Sequence, residues 1–121
     1  MQVIGGLQKF KASYLKALAH PVRIRVLEVL RQGELSVAEL QSEAGADVAN
    51  ISQHLAVLRS GGVVVARKTG MNVLYRVRDG EVFVILDALR QIFSNRLDSM
   101  QTMLDEDNAS LDADPAPDCQ A

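Results

Sequence analysis

The feature that most constrains this chain is an apolar stripe near its C-terminal end. Val82, Leu86, Leu89, Phe93, Leu97, Met100 and Leu104 follow one another at intervals of 4, 3, 4, 4, 3 and 4 residues. That spacing is close to a 3.5-residue repeat, which aligns all of them on one side of a single long helix. Asp79 and Glu81 stand at its start, where negative charge suits the helix dipole. So long a stripe needs an equally long apolar surface to lie against. At 121 residues the chain has the size of one ordinary domain. The other helix that can meet the stripe is the first, over residues 7–18, where Leu7, Phe10, Tyr14 and Leu18 share a face. Either the two helices bury each other within one chain, or together they form the seam of a dimer. The dimer is the more economical reading. It assigns Leu7, Phe10, Tyr14, Leu86, Leu89, Phe93, Leu97 and Met100 to the interface.

Between these helices the sequence is punctuated closely. His20-Pro21 breaks the first helix, and Pro21 suits the first position of a second one, which Gly33 stops after about Gln32. Ser36-Val37-Ala38-Glu39 reads as a capping box opening a short helix that ends at Gly45. Asp47 can cap the next helix, over about 48–60, which stops at Gly61-Gly62. Two short helices joined by a tight turn containing glycine form a helix-turn-helix. In the second of them Ile51, Leu55 and Leu58 face a core, while Ser52, Gln53 and His54 crowd short polar side chains onto one turn. Then come two β-branched runs, 63–66 and 73–77, separated by Arg67-Lys68-Thr69-Gly70-Met71-Asn72, a hairpin with a basic tip. The architecture expected is mainly α with a small β-hairpin wing: a winged helix-turn-helix over 1–104, dimerising through its first and last helices. Residues 105–121 are expected to be an acidic disordered tail.

Charge follows the same division. The net charge is −2 and the isoelectric point about 5.6. Residues 105–121 hold six acids and no base, which leaves nine acids against 13 bases in the body, a net of +4. Arg59, Arg67, Lys68, Arg76 and Arg78 lie in a stretch with no acid from Val48 to Arg78. A polyanion responds to this local field rather than to the overall charge. A solvated basic face is the bland alternative. The chain has no apolar run of the roughly 18 residues a membrane span requires. Its N-terminus lacks the basic and long apolar regions of a secretory signal. With a single cysteine, Cys119, a reducing cytoplasmic setting is expected.

At this point the residues resemble a family. "LAHPVRIRVLEVL", "ELSVAEL", "ISQHLAVLRSGGVV" and "LYRV", in this order and spacing, resemble the signatures of the ArsR/SmtB bacterial repressors over about residues 7–104. The resemblance implies homodimers that bind operator DNA near promoters, released or engaged by a metal ion or another signal. It also makes the helix over 48–60 the recognition helix. A major groove admits one helix, and its base edges offer donors and acceptors to short polar side chains. Asn50 and Gln53 suit bidentate pairing with adenine. Ser52 suits phosphate or base, and His54 suits phosphate or a packing role. Arg59, Lys68 and Arg76 are expected on the DNA backbone, with Arg67, Gly70 and Asn72 at or near the wing tip.

The family's sensor positions can be compared one by one. Where some members carry cysteines, as in "ELCVCDL", this chain has Ser36 and Ala38, so that thiolate site is missing. A second pattern, Asp-x-His followed after ten residues by His-x-x-His or Glu, falls here on Asp79-Gly80-Glu81, Ile92 and Asn95. Asp79 and Glu81 are therefore the remaining metal candidates, for nickel or zinc, and helix-start residues on the bland reading. His20 is expected to cap the second helix. Asp112, Asp114, Asp118 and Cys119 read as a loose chelate or, more simply, a solubilising tail whose charge competes with DNA.

An enzyme is not expected. Ser52 and His54, two apart on a helix, do not face each other, and neither a glycine-rich phosphate loop nor a Ser-His-Asp set is present. The leading reading is a homodimeric transcription regulator on a pseudo-palindromic operator, modulated by an unidentified signal. The alternative is a protein-interaction module, or a co-regulator whose DNA binding a partner protein controls.

Overall fold

The computed structural model describes residues 5–113. Helix α1 spans Gly6–Leu18 and α2 spans Pro21–Val29. His20 caps α2 as expected: its Nδ1 accepts from the Val22 N–H at 3.1 Å, and Pro21 fills the first helical position. The expected continuation to Gln32 tightens into a 3₁₀ turn over Leu30–Gln32, released at Gly33 with φ +127°. Strand β1, Leu35–Ser36, leads into α3, Val37–Ala44. The capping box forms in full. Glu39 N–H donates to Ser36 Oγ at 3.2 Å, and Ser36 N–H donates to Glu39 Oε1 at 2.8 Å. Helix α4 is Ile51–Ser60, β2 is Val64–Thr69, β3 is Asn72–Val77, and α5 is Glu81–Ala113.

The sheet is antiparallel in the order β1-β3-β2. Leu35 pairs with Tyr75 and Ser36 with Leu74, while β2 and β3 pair from Val64↔Val77 to Thr69↔Asn72. The hairpin is thus longer than its apolar runs suggested, and its loop is only Gly70 and Met71. Gly70 has φ +61°. A positive φ at the first loop position is the II′ arrangement that suits twisted strands. The two-residue β1 carries no alternation from which to read it. It exists because the chain, extended just before the Ser36 cap, can pair with the free edge of β3.

The core is aliphatic. Leu27 from α2, Leu40 from α3, Leu55 and Leu58 from α4, and Val63, Val64 and Val82 around them are buried completely or nearly so. Fully burying such a side chain contributes roughly 1.5–3 kcal/mol. Close approach matters at Gly61. A Cβ there would lie 2.7 Å from the Cβ of Ala17, so the absence of a side chain lets α1 and the end of α4 meet.

The chain divides into two compact units, one ending at Val84 and the other starting at Ile85 within α5. The stripe changes character there. Val82 and Leu86 are buried, so Leu86, expected at the dimer seam, adds no exposed area to the stripe. Leu89, Phe93, Leu97, Met100 and Leu104 are exposed, as are Ile92 and Met103 beside them. At about 1.5 Å per residue, the 33 residues of α5 extend about 50 Å. The helix runs through Ala113, past the boundary expected near Asp105. The side chain of Gln101 donates to Asp105 Oδ1 at 3.0 Å across one turn, the i, i+4 pairing that supports an exposed helix. Of the residues read as a chelating tail, Asp114, Asp118 and Cys119 lie outside the described residues.

Candidate nucleic-acid interface

The turn between α3 and α4 is held by Gln41. Its side-chain amide donates to the carbonyls of Gly45 at 2.9 Å and Val48 at 2.8 Å. In a helix beginning at Val48, that residue's carbonyl would accept from four residues on; here Gln41 takes it. Helix α4 therefore begins at Ile51, not 48, and Asp47 is not its cap. Asn50 is the N-cap, in a left-handed conformation with φ 64° and ψ 30° and no side-chain cap bond. Asparagine tolerates that region better than most residues.

This geometry aims the start of α4 outward. Ile51, Leu55 and Leu58 are buried, whereas Asn50, Ser52, Gln53 and Arg59 are exposed. Two amides and a hydroxyl therefore stand together on one turn. All three both donate and accept hydrogen bonds, the capability needed to read base edges.

His54 is placed differently from its neighbours. It is half-buried, its ring 4.3 Å from that of His20 and its Nδ1 3.3 Å from Nη1 of Arg23. The Arg23 guanidinium also donates from Nε to the Ala17 carbonyl at 2.6 Å and from Nη2 to the Lys16 carbonyl at 3.4 Å. From α2, this one arginine thus reaches the end of α1 and the side of α4. Of the two roles open to His54, the packing contact is the one seen here. Burial, then the neighbouring His20 and Arg23, push its imidazole below the usual value.

The wing carries the basic residues. Lys68, Asn72 and Arg76 are exposed on β2 and β3, with Met71 at the tip. Arg67 is not at the tip. It lies in β2 opposite Leu74, and its guanidinium grips Glu34, with Nε to Oε2 at 2.9 Å and Nη2 to Oε1 at 2.7 Å. Arg76 Nε approaches the same carboxylate at 4.0 Å. The Arg67 hydrogen bonds, aided by the charges of Arg67 and Arg76, hold the Glu34 carboxyl below the usual carboxylate range; desolvation opposes them. Sequence reasoning passed over Glu34, because a pair 33 residues apart leaves no local periodicity.

Asp79 and Glu81 lie at the approach to α5, with Glu81 in its first turn. Burial, then the charges of Asp79 and Glu81, push the phenol of the half-buried Tyr14 above its ordinary value. Two carboxylates with no imidazole are a poor donor set for nickel or zinc. Among the described residues, no three His, Cys, Asp or Glu side chains cluster as metal ligands do. No helix is long and apolar enough to cross a membrane among the residues described.

A helix-turn-helix with an exposed polar turn, flanked by a basic β-wing, defines a winged helix-turn-helix protein. The comparisons agree. Residues 18–67 match a family model described as a helix-turn-helix domain. The uncharacterized HTH-type transcriptional regulator Rv0081 of Mycobacterium tuberculosis is 39% identical over 101 residues, covering 83% of this chain and 89% of that protein. Its crystal structure aligns with a TM-score of 0.67 over 80% of this chain and 98% of the other. The biofilm growth-associated repressor of Xylella fastidiosa is 38% identical over 82 residues, covering 68% of this chain and 72% of that protein. The homodimeric winged helix-turn-helix DNA-binding domain Mb0332 of Mycobacterium bovis, described as a possible ArsR-family regulator, has a TM-score of 0.67 at 28% identity and covers 82% of this chain and 95% of that one. The chain belongs to the ArsR/SmtB family of helix-turn-helix transcriptional regulators.

Proposed function

We propose that the chain works as a cytoplasmic homodimeric repressor that reads a pseudo-palindromic operator through α4 and grips the flanking backbone with its wings. The observation that carries this reading is the exposed first turn of α4, with Asn50, Ser52 and Gln53 presented together above a fully buried apolar face. Asn50 and Gln53 serve as bidentate readers of adenine, and Ser52 as a contact to base or phosphate. Arg59, Lys68, Asn72 and Arg76 supply backbone contacts, which set affinity and register rather than sequence choice. The exposed apolar faces of α1, with Leu7 and Phe10, and of α5, with Leu89, Phe93, Leu97 and Met100, are where two copies meet. Two half-sites then fall about one helical turn, roughly 10 base pairs, apart.

The signal belongs to the same proposal. A nickel or zinc ion as effector would need ligands beyond Asp79 and Glu81. A partner protein acting on the dimer needs none. Metal titration during DNA binding separates the two.

The residue roles are tested by Gln53→Ala and Lys68→Ala against the preferred operator and single-base variants of it. Gln53→Ala is expected to cost about 1–3 kcal/mol on the best site and to relax choice at one base pair. Lys68→Ala is expected to weaken all sequences alike and to lower the salt slope by about 0.9 per protomer. Equal weakening of every sequence by both variants would remove Gln53 from base readout.

A further inference from the structure

Glu34 is the acid set against the basic wing. It directly precedes Leu35, whose strand partner is Tyr75, so it stands beside Arg76 at the edge of β3. Arg67, opposite Leu74 on the far strand, reaches over β3 to meet it. Both carboxylate oxygens are engaged by Arg67, at 2.7 and 2.9 Å, in the parallel two-bond geometry a guanidinium offers. The pair is open to water, the Arg67 side chain being 56% exposed and that of Glu34 25%, so it is not a packing device of the core.

A carboxylate and a phosphate present the same feature to a guanidinium: two oxygens at matching spacing and a negative charge. One fork holds one such anion at a time. We propose that Glu34 is an intramolecular stand-in for a DNA phosphate, and that it sets the affinity of the wing by occupying the fork of Arg67. This inference rests on the DNA-binding reading above and deepens it. Through the Nε/Nη2 edge Arg67 meets a phosphate only by giving up Glu34, and while Glu34 stays beside it the pair brings no net positive charge to the DNA. Lys68, one residue on along β2, makes its contact without such an exchange. Glu34 is a positioning residue: it acts on DNA through Arg67 and, at 4.0 Å, through Arg76.

The test is the salt dependence of binding to a mixed-sequence duplex, followed by fluorescence anisotropy, for the full chain and for Glu34→Gln, Arg67→Gln and the double variant. A circular-dichroism melt of each verifies folding. Glu34→Gln frees the fork and is expected to tighten binding about fivefold per protomer at ~0.15 M salt, with a slope steeper by about 0.9 per protomer. Arg67→Gln alone uncovers the Glu34 charge beside the wing and is expected to weaken binding severalfold, most at low salt. In the Glu34→Gln background the same change is expected to abolish the whole gain. Weaker binding by Glu34→Gln, or an unaltered slope, overturns the proposal: the first makes Glu34 the residue that holds Arg67 on the phosphate, the second makes the pair a bystander. If the unaltered chain fails to bind any duplex, the DNA reading itself fails, and this inference with it.

Discussion

The residues through Val84 and those from Ile85 onward solve the problem of apolar surface in opposite ways. The first unit is built from short elements that close a core between them: Leu27, Leu40, Leu55, Leu58 and Val63 are buried. The second unit is the greater part of one long helix, and beyond Leu86 its apolar stripe stays in water. Phe93 is 64% exposed, and Leu89, Leu97, Met100 and Leu104 are exposed with it. An isolated apolar residue on a surface means little, but a continuous row is a surface awaiting a partner. In the function proposed, the first unit presents the reading turn and the second carries the symmetry, because an interface made by the same face of two copies is the commonest route to a closed pair.

The largest break of this contrast comes from charging the stripe. Phe93→Glu with Leu97→Glu is expected to leave the first unit folded, turn the dimer into monomers in sedimentation, and lower operator affinity about 100-fold or more, because two linked half-sites gain roughly 10²–10⁴ over one. An intact dimer in this variant would mean that the stripe is not the seam. The converse change is Leu40→Ala, completely buried in the first unit, expected to cost about 2–5 kcal/mol in urea unfolding. A loss below about 1 kcal/mol would mean that this core is less closed than the packing around Leu40 suggests.

The smallest effect is in pH. Burial, His20 and Arg23 hold the His54 imidazole below its ordinary value of about 6.5. The native state then binds that proton less readily than the unfolded chain does. The stability that follows is complete above about pH 6.5 and is lost as pH falls toward the lowered native value. The melting temperature is therefore expected to drop modestly between pH 7 and pH 5, and His54→Gln to flatten part of that slope. An identical pH profile in His54→Gln would show that the His20–Arg23–His54 joint is not what titrates.

What the sequence disclosed follows from the range of each interaction. The Ser36–Glu39 box, the His20 cap, the Gly61-Gly62 stop and the apolar spacing of α4 and α5 are local, and all are found in place. The start of α4 was misplaced by three residues because a distant side chain, Gln41, takes the Val48 carbonyl. For His54 the sequence left phosphate and packing both open, since the partners that hold it, His20 and Arg23, come from another helix and its cap. Strand β1 and the Glu34–Arg67 pair were invisible for the same reason: a two-residue strand has no periodicity, and an ion pair across 33 positions has no spacing rule. The stripe was legible in full, but which part of it one chain buries was not.

The most direct test of a dimer reading DNA through α4 is to retain duplexes from a random pool on the purified chain and sequence them. The account predicts an enriched sequence with two inverted half-sites centred about 10 base pairs apart, and loss of that symmetry in Phe93→Glu with Leu97→Glu. Retention with no enriched sequence, or a single unrepeated site from the unaltered chain, would contradict it.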